Sequence, residues 1–368
     1  MFTAADHEFM ARALRLAARG LYSTTPNPRV GCVIVRDGAV VGEGWHRNAG
    51  EAHAEINALQ SAGDRARGAS VYVTLEPCCH HGRTPPCSEA LIAAGVSRVV
   101  AALHDPNPQV AGRGLARLAA AGIDCECGLL EQDARELNVG FFSRMTRGRP
   151  WVRVKMAASL DGKTALESGA SQWITGPAAR ADGHRWRARA CAILTGSGTL
   201  ADDDPQLTVR GVDSARQPLK VLVDSRLEVP LDARLLAGGK VLIAGAIDAS
   251  TRATKAEALR ALGAEIVSLP AAGGRVDLPA LLAELGRRGI NELHVEAGAR
   301  LSGALLAAGL VDELLLYLAP CLLGDAARGL FALPALESLE SKHALTMRDV
   351  RLVGSDLRLI ARLGSARR

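Results

Sequence analysis

Aromatic side chains are scarce, with five Phe, four Trp and three Tyr in 368 residues. The interior must therefore be built from Ala, Leu and Val, with helices packed closely through small side chains. The same scarcity removes the interleaved aromatic and basic residues that stack and hold nucleic-acid bases. Long apolar runs are missing too. The longest, such as 303–311, are rich in Ala and Gly and fall short of the 18 or more residues of a membrane span. The first residues, MFTAADHEFMARAL, carry early acids and no apolar run behind a basic start, which excludes a secretory signal of the usual form. Charge of one sign is also lacking: 44 basic against 39 acidic residues leave only +5, too little for a dedicated polyanion binder. These absences point to a soluble, cytoplasmic protein with no nucleic-acid or membrane partner.

What is present is an ordinary globular composition, 48% hydrophobic and 23% charged, over a length that suits two domains. Met10, Ala13, Leu14 and Ala17 share a helical face that Gly20 stops. Strands are expected at 30–35 and 39–41 around Asp37-Gly38, a type I′ hairpin signal. Helices at 54–62, 88–94 and 114–121 then alternate with strands at 70–75, 98–103 and 123–127. This is an α/β domain with a mixed sheet. The run 144–150, with three Arg, a Gly and a Pro, breaks the pattern and marks a boundary between domains at 1–146 and 150–368. A second α/β series follows, with strands at 151–157, 192–194, 219–223, 241–244, 293–295 and 313–318. Helices are expected at 255–262, 279–287 and 301–308. Residues 1–148 carry 15 Arg, no Lys and 15 acids, so the whole excess of +5 lies in the second half.

Eight cysteines are few for a disulfide scaffold, and Cys78, Cys79 and Cys87 crowd one region with His80 and His81. Such clustering reads as metal ligation. Cys125 and Cys127 are explained by alternation on a strand. His53 and Glu55 open the helix at 54, and TLEPC at 74–78 and CHHGRTPPC at 79–87 follow. One His and two Cys hold Zn²⁺ at three positions and leave a fourth for water, whose pKa falls to roughly 7. A carboxylate outside the metal shell then shuttles protons between that water and a leaving amine. A structural zinc site needs a fourth protein ligand, which Cys79, His80 or His81 could supply.

His53-Ala-Glu55, Pro77-Cys78 and a later Cys together resemble the zinc deaminase signature. The usual two residues between the cysteines are replaced by eight, between Cys78 and Cys87. That long form is similar to the deaminase half of the bifunctional riboflavin-biosynthesis deaminase–reductases, as are PNPRVGCVIV at 26–35, GEGWHRNAGEAHAE at 42–55 and HDPNP at 104–108. The resemblance implies a cytidine-deaminase-like α/β/α fold, zinc on His53, Cys78 and Cys87, and Glu55 as general acid and base. It also implies substrate contacts from Asn27, His46, His80, Arg83, Asp105 and Asn107, each of which could equally serve as a cap or turn residue.

In the second half, Gly196-Ser-Gly198-Thr-Leu-Ala201 nominally fits a dinucleotide fingerprint, but Asp202-Asp203-Asp204-Pro205 prevents a helix of normal length. Glu296-Ala-Gly298 leading into a helix suits a phosphate better. VKMAASLDGKTA at 154–165, SQWITGPAARAD at 171–182, ILTGSGTLADDDPQLTVR at 193–210, VLVDS at 221–225 and HVEAGARLSGALL at 294–306 resemble the reductase half of the same family. That half is dihydrofolate-reductase-like. The resemblance implies an NADPH site lined by Ala157, Trp173, Thr199, Asp203, Ser225 and the turn of Gly298, Ala299, Arg300, Leu301, Ser302, Gly303 and Ala304. Ser171, Arg187, Leu207, Arg210 and Glu296 are implied for the sugar phosphate. Trp173 could alternatively be a core aromatic. Lys155 and Asp203 are the candidates for moving protons during ring opening, and Arg187 and Arg210 suit a phosphate bidentately.

The expected activity is therefore zinc-dependent deamination of a phosphoribosylated diaminopyrimidine, followed by NADPH-dependent reduction of its ribosyl group to ribityl. A zinc nucleoside or tRNA deaminase with a C-terminal binding module is the rival reading, and a structural zinc module on a nucleotide-sensing domain is another. The apolar run 303–319 is expected to pair across a symmetric interface in a homo-oligomer.

Overall fold

The structure, a computed structural model, describes residues 1–79 and 86–364, in two compact units, Met1–Gly148 and Arg149–Arg368. The first unit opens with α1 (Ala4–Ala18). Its start is fixed by Thr3, whose hydroxyl accepts the Asp6 N–H while the Asp6 carboxylate accepts the Thr3 N–H. β1 (Gly31–Arg36) and β2 (Ala39–Trp45) form the expected hairpin, with Asp37 and Gly38 both at positive φ (50° and 75°). Then follow α2 (Ala54–Ala62), β3 (Ser70–Val73), α3 (Cys87–Ala94), β4 (Arg98–Ala101), α4 (Arg113–Ala120) and β5 (Asp124–Cys127). The sheet runs β2-β1-β3-β4-β5, with β1 antiparallel to both neighbours and β3, β4 and β5 parallel.

Alternation along β1 feeds two cores. Cys32 and Ile34 pack with α2, whereas Val33 and Val35 pack with Met10, Phe141 and Phe142 on the other face. Two glycines let α2 lie directly on β2: a Cβ at Gly42 would sit 2.4 Å from the Ala58 carbonyl oxygen, and one at Gly44 2.3 Å from that of Ala54. This is the small-residue packing that the shortage of aromatics demands. Cys125 and Cys127 sit on β5, half-buried, and pack against the α2 core as strand residues.

Two helices were not expected from the periodicity, α5 (Glu131–Leu137) and α6 (Val139–Arg147). α6 carries Phe141 and Phe142 into the core and runs through Arg144 to Arg147, the part of the basic run that looked irregular. Gly148, at φ 68°, caps it.

The second unit is a nine-stranded sheet among the described residues. Its strands are β6 (Trp151–Ser159), β7 (Ala192–Gly196), β8 (Leu219–Val223), β9 (Val241–Gly245), β10 (Ala264–Ser268), β11 (Glu292–Val295), β12 (Glu313–Ala319), β13 (Leu345–Val353) and β14 (Asp356–Leu363). The order is β10-β9-β8-β7-β11-β6-β12-β14-β13, parallel from β10 through β12 and antiparallel at β14 and β13. Its principal helices are α7 (Pro177–Arg189), α8 (Ser197–Asp203), α9 (Ala253–Ala261), α10 (Leu278–Arg287) and α11 (Ala299–Ala307).

α7 has no apolar stripe and rests on a charged patch of the sheet. Arg187 pairs with Glu296, Arg189 with Glu292, and Asp182 accepts from Tyr317 at 2.6 Å and from Arg358 at 2.9 Å. Arg153 is wholly buried beneath it, bridging Glu292 and Glu313 under the Trp186 ring. The run 303–319 does not face outward as expected. Gly303, Leu305, Leu306, Leu314, Leu315 and Tyr317 are buried within their own unit, because α11 and β12 both lie against the central sheet. Exposed apolar residues do cluster on the edge strand β13, where Leu345, Met347, Val350 and Leu352 are exposed.

Candidate active sites

The first site forms at the carboxyl end of β3 and the N-termini of two helices. His53 caps α2, which the Gly42 and Gly44 contacts fix against β2, and Cys87 is the first residue of α3. Cys78 follows β3. One donor atom from each of His53, Cys78 and Cys87 lies within 4.8 Å of the other two. His53 Nδ1 stands 3.3 Å from Cys87 Sγ and 3.6 Å from Cys78 Sγ. Tetrahedral zinc with ordinary Zn–N and Zn–S bonds separates nitrogen and sulfur by about 3.5 Å, so the trio fits the ion. Cys79 is not part of this cluster; its thiol points to the Gln109 carbonyl oxygen at 3.9 Å. His80, His81 and Arg83 lie outside the described residues.

The electrostatics favour a thiolate. The Cys78 thiol is pulled down to about 4, chiefly because the Cys87 thiol donates to it, with His53 and the Cys87 backbone N–H (3.3 Å) adding to the effect. That N–H belongs to the N-terminus of α3, where negative charge is favoured. His53 is raised by donating to Cys78. Glu55 is buried and pushed up to about 7, by burial first and then by the charge of Cys78. A carboxyl near neutrality can both take and return a proton.

A cavity of about 500 Å³ opens onto this cluster, lined by Asn27, His46, His53, Glu55, Cys78, Asp105, Asn107 and Arg144 among others. His46 Nδ1 lies 3.1 Å from the Ala52 carbonyl oxygen and must therefore donate to it. That leaves Nε2 free to accept from the Asn27 amide at 3.0 Å. Burial lowers the pKa of His46, which keeps the ring neutral for this role. Asp105 is pushed up to about 6 by burial, and its Oδ1 accepts the Asn107 N–H at 2.8 Å. Asn107 in turn accepts the Gln109 N–H. Both residues thus hold the turn and face the cavity.

Sequence reasoning passed over Glu76. Its carboxylate is completely buried and accepts the backbone N–H groups of Asp105 (3.2 Å), Gly112 (2.9 Å), Gly114 (2.9 Å) and Leu115 (3.1 Å). It ties the segment before Cys78 to the start of α4 and to the Asp105 turn. Its place inside TLEPC was a signal, but its partners lie 29 to 39 residues away.

The second unit brings Lys155, Arg187 and Glu296 together. Arg187 makes a bidentate pair with Glu296 (2.6 and 2.8 Å) and donates to the Thr208 carbonyl oxygen. Burial lowers the Lys155 pKa, opposed by Glu296 and aided by Arg187. Asp203 is exposed at the C-terminal end of α8 and is not among the charges acting on Lys155. Arg210 is exposed, with one nitrogen on Thr208 Oγ1, and Leu207 is buried at φ 51°. Ser171, Ala157 and Ser225 are half-buried. Trp173 is 70% exposed with Arg180 over its ring, so it is no core aromatic.

α8 ends before Pro205, as the aspartate run requires, yet it still shapes a site. Thr199 Oγ1 accepts the Gly298 N–H at 2.9 Å, joining the N-termini of α8 and α11, neither of which has a side-chain cap. These helices follow β7 and β11, neighbours from which later strands are added in opposite directions. In open α/β sheets such a switch point is where ligands bind. Free backbone N–H groups and two helix dipoles there fit a dinucleotide pyrophosphate. Within the expected turn, Gly298 and Arg300 are exposed and Ala299, Leu301 and Ala304 half-buried. Ser302 and Gly303 point inward: the Ser302 hydroxyl bonds the Ala297 carbonyl oxygen, and a Cβ on Gly303 would meet the Ala332 oxygen at 2.2 Å.

Residues 150–359 match the family model described as the RibD C-terminal domain. The chain belongs to the RibD family. Residues 3–103 match the cytidine and deoxycytidylate deaminase zinc-binding region. The chain is 51% identical over 365 residues to the riboflavin biosynthesis protein RibD of Escherichia coli, covering 96% of this chain and 98% of that protein. It is 45% identical to the Haemophilus influenzae RibD, with 97% of each covered. The solved RibD of Acinetobacter baumannii superposes with a TM-score of 0.91 at 44% identity, covering 98% of this chain and 99% of that one. A Thermotoga maritima diaminohydroxyphosphoribosylaminopyrimidine deaminase/5-amino-6-(5-phosphoribosylamino)uracil reductase gives 0.87 at 31% identity, again over 98% and 99%. As a RibD protein the chain is a bifunctional deaminase and reductase of riboflavin biosynthesis, with Zn²⁺ and NADPH as cofactors. Its units are a cytidine-deaminase-like domain and a RibD reductase domain. Full-length RibD relatives displace the nucleoside or tRNA deaminase alternative. Among the described residues no helix is long and apolar enough to cross a membrane.

Proposed function

We propose that residues 1–146 deaminate 2,5-diamino-6-(5-phosphoribosylamino)pyrimidin-4(3H)-one. Residues 150–368 then reduce the ribosyl group of the product, 5-amino-6-(5-phosphoribosylamino)uracil, with NADPH. The observation that carries the first assignment is the buried Glu55 carboxyl beside the convergent His53, Cys78 and Cys87 donors. Those three residues would hold zinc, which when bound supplies a water acidic enough to react at neutral pH. Glu55 takes a proton from the attacking water and returns it to the departing ammonia. Asn27, oriented by His46, together with Asp105 and Asn107, holds the pyrimidine at the cavity wall, with His80 and Arg83 assigned to the same substrate.

In the second unit the crevice of Thr199 and Gly298 would hold the cofactor, which when bound supplies the hydride. Trp173, Ala157, Asp203, Ser225 and the exposed part of the 298–304 turn would line the same crevice. Lys155, within the electrostatic reach of Glu296 and Arg187, moves the proton that opens the ribose ring, a role its burial supports better than the exposure of Asp203. Ser171, Leu207 and Arg210 complete the sugar-phosphate pocket. Eight cysteines outside any disulfide suit a reducing cytoplasm, and the exposed apolar residues of β13 support a homo-oligomer. The decisive experiment is Glu55→Gln in the full chain. Ammonia release should vanish while zinc content and NADPH-dependent reduction of the deaminated substrate persist; retained deamination overturns the assignment.

A further inference from the structure

His184 lies on α7 one turn before Arg187 and was not singled out by any motif. Its Nδ1 accepts the backbone N–H of Arg210 at 3.2 Å. A ring nitrogen that accepts carries no proton, so the proton of the neutral ring sits on Nε2, which is left as a donor. The charges acting on the imidazole are Arg187 on its own helix, Arg210 on the following loop, Lys155 on β6 and Glu296 beyond β11. Three cations and one carboxylate act on it, and the carboxylate is already engaged bidentately by Arg187. Burial, followed by Arg187 and Arg210, pushes the ring down to about 4, so it remains a neutral donor throughout the physiological range.

We propose that His184 completes, with Arg187 and Arg210, a subsite for a phosphate monoester, to which its Nε2–H donates. This rests on the reductase assignment above. A neutral N–H donor among excess cations, with its tautomer locked by a backbone N–H, is a built hydrogen-bonding position for an anion. The monoester is either the sugar phosphate of the substrate or the 2′-phosphate of NADPH, since both present the same dianion.

Steady-state reduction by the zinc-loaded full chain tests it, using wild type, His184→Ala and His184→Gln. Each is measured with the deaminated substrate with and without its 5-phosphate, and with NADPH and NADH. The Ala variant should raise the KM of one phosphorylated partner roughly ten-fold with kcat little changed. It should leave the matching unphosphorylated partner unaffected, and Gln, which keeps a donor, should recover most of the loss. A loss confined to the sugar-phosphate arm identifies the substrate, and one confined to the NADPH arm identifies the cofactor. Equal losses in all arms, or none in any, overturn the inference. Wild-type protein that reduces neither substrate overturns the assignment on which it rests, and the inference with it.

Discussion

Replacing Glu76 by Gln tests how the first site is held together. Each Glu76 oxygen accepts two backbone N–H groups, Oε1 those of Gly114 and Leu115, Oε2 those of Asp105 and Gly112. Gln keeps the volume but turns one oxygen into a donor, so two N–H groups, at least half-buried, face an NH₂ and the remaining pair loses its charge assistance. A hydrogen bond to a charged acceptor contributes about 1.5–3 kcal/mol, and an orphaned buried donor costs about 1–3 kcal/mol. With partial relaxation the sum is about 3–5 kcal/mol. For a unit of this size that lowers its unfolding midpoint by about 10 °C. The segment leading to Cys78 loosens with it, so zinc is lost to a competing chelator at lower chelator concentration and ammonia release falls. NADPH-dependent reduction continues at the wild-type rate at a temperature where both proteins are folded. A Glu76→Gln protein that melts within about 2 °C of wild type and retains zinc equally well would refute this reasoning.

Gly44→Ala should drive its Cβ into the Ala54 carbonyl oxygen, displacing α2 and costing about 1–3 kcal/mol; deaminase kcat should drop while the reductase assay is unaffected. Asp6 is held well below the usual carboxylate range: burial opposes ionisation, but hydrogen bonds from Arg98, Tyr72 and Thr3 outweigh it. Its stabilisation is complete above the unfolded value of about 3.9 and disappears as pH falls through the lower folded value. Asp6→Asn should therefore destabilise the first unit at pH 7 and flatten the acid limb of its stability curve, measured by urea unfolding from pH 7 to 3. Met347→Lys with Leu352→Lys should shift sedimentation towards monomer, the outer face of β13 being the apolar surface concerned.

The zinc cluster was legible because its chemistry is local in the chain: His53 and Glu55 share one helix start, and Cys78 and Cys87 stand nine positions apart. The alternation of β1 and the hairpin at Asp37-Gly38 were legible for the same reason. Glu76 was not, since a buried carboxylate announces itself only through partners that the fold brings in from Asp105 to Leu115. Nor was α7, because a periodicity search looks for apolar stripes and this helix is held by Asp182, Arg187 and Arg189. The switch-point crevice was half legible. The proline rule correctly ended α8 early, but only the strand order reveals that this stunted helix stands beside Gly298.

The charged bed under α7 has a thermal consequence. Ion hydration weakens on heating, so the desolvation cost of the pairs that tie α7 to the sheet, Arg187 with Glu296 and Arg189 with Glu292, falls as temperature rises. Apolar burial offers no comparable gain. The helix bearing His184 and Arg187 is therefore moored by contacts whose relative strength grows with warming, and it should keep its alignment over the sheet close to the melting point. Reductive turnover should accordingly rise smoothly with temperature until the unit unfolds as a whole, without an earlier decline from a loosened helix.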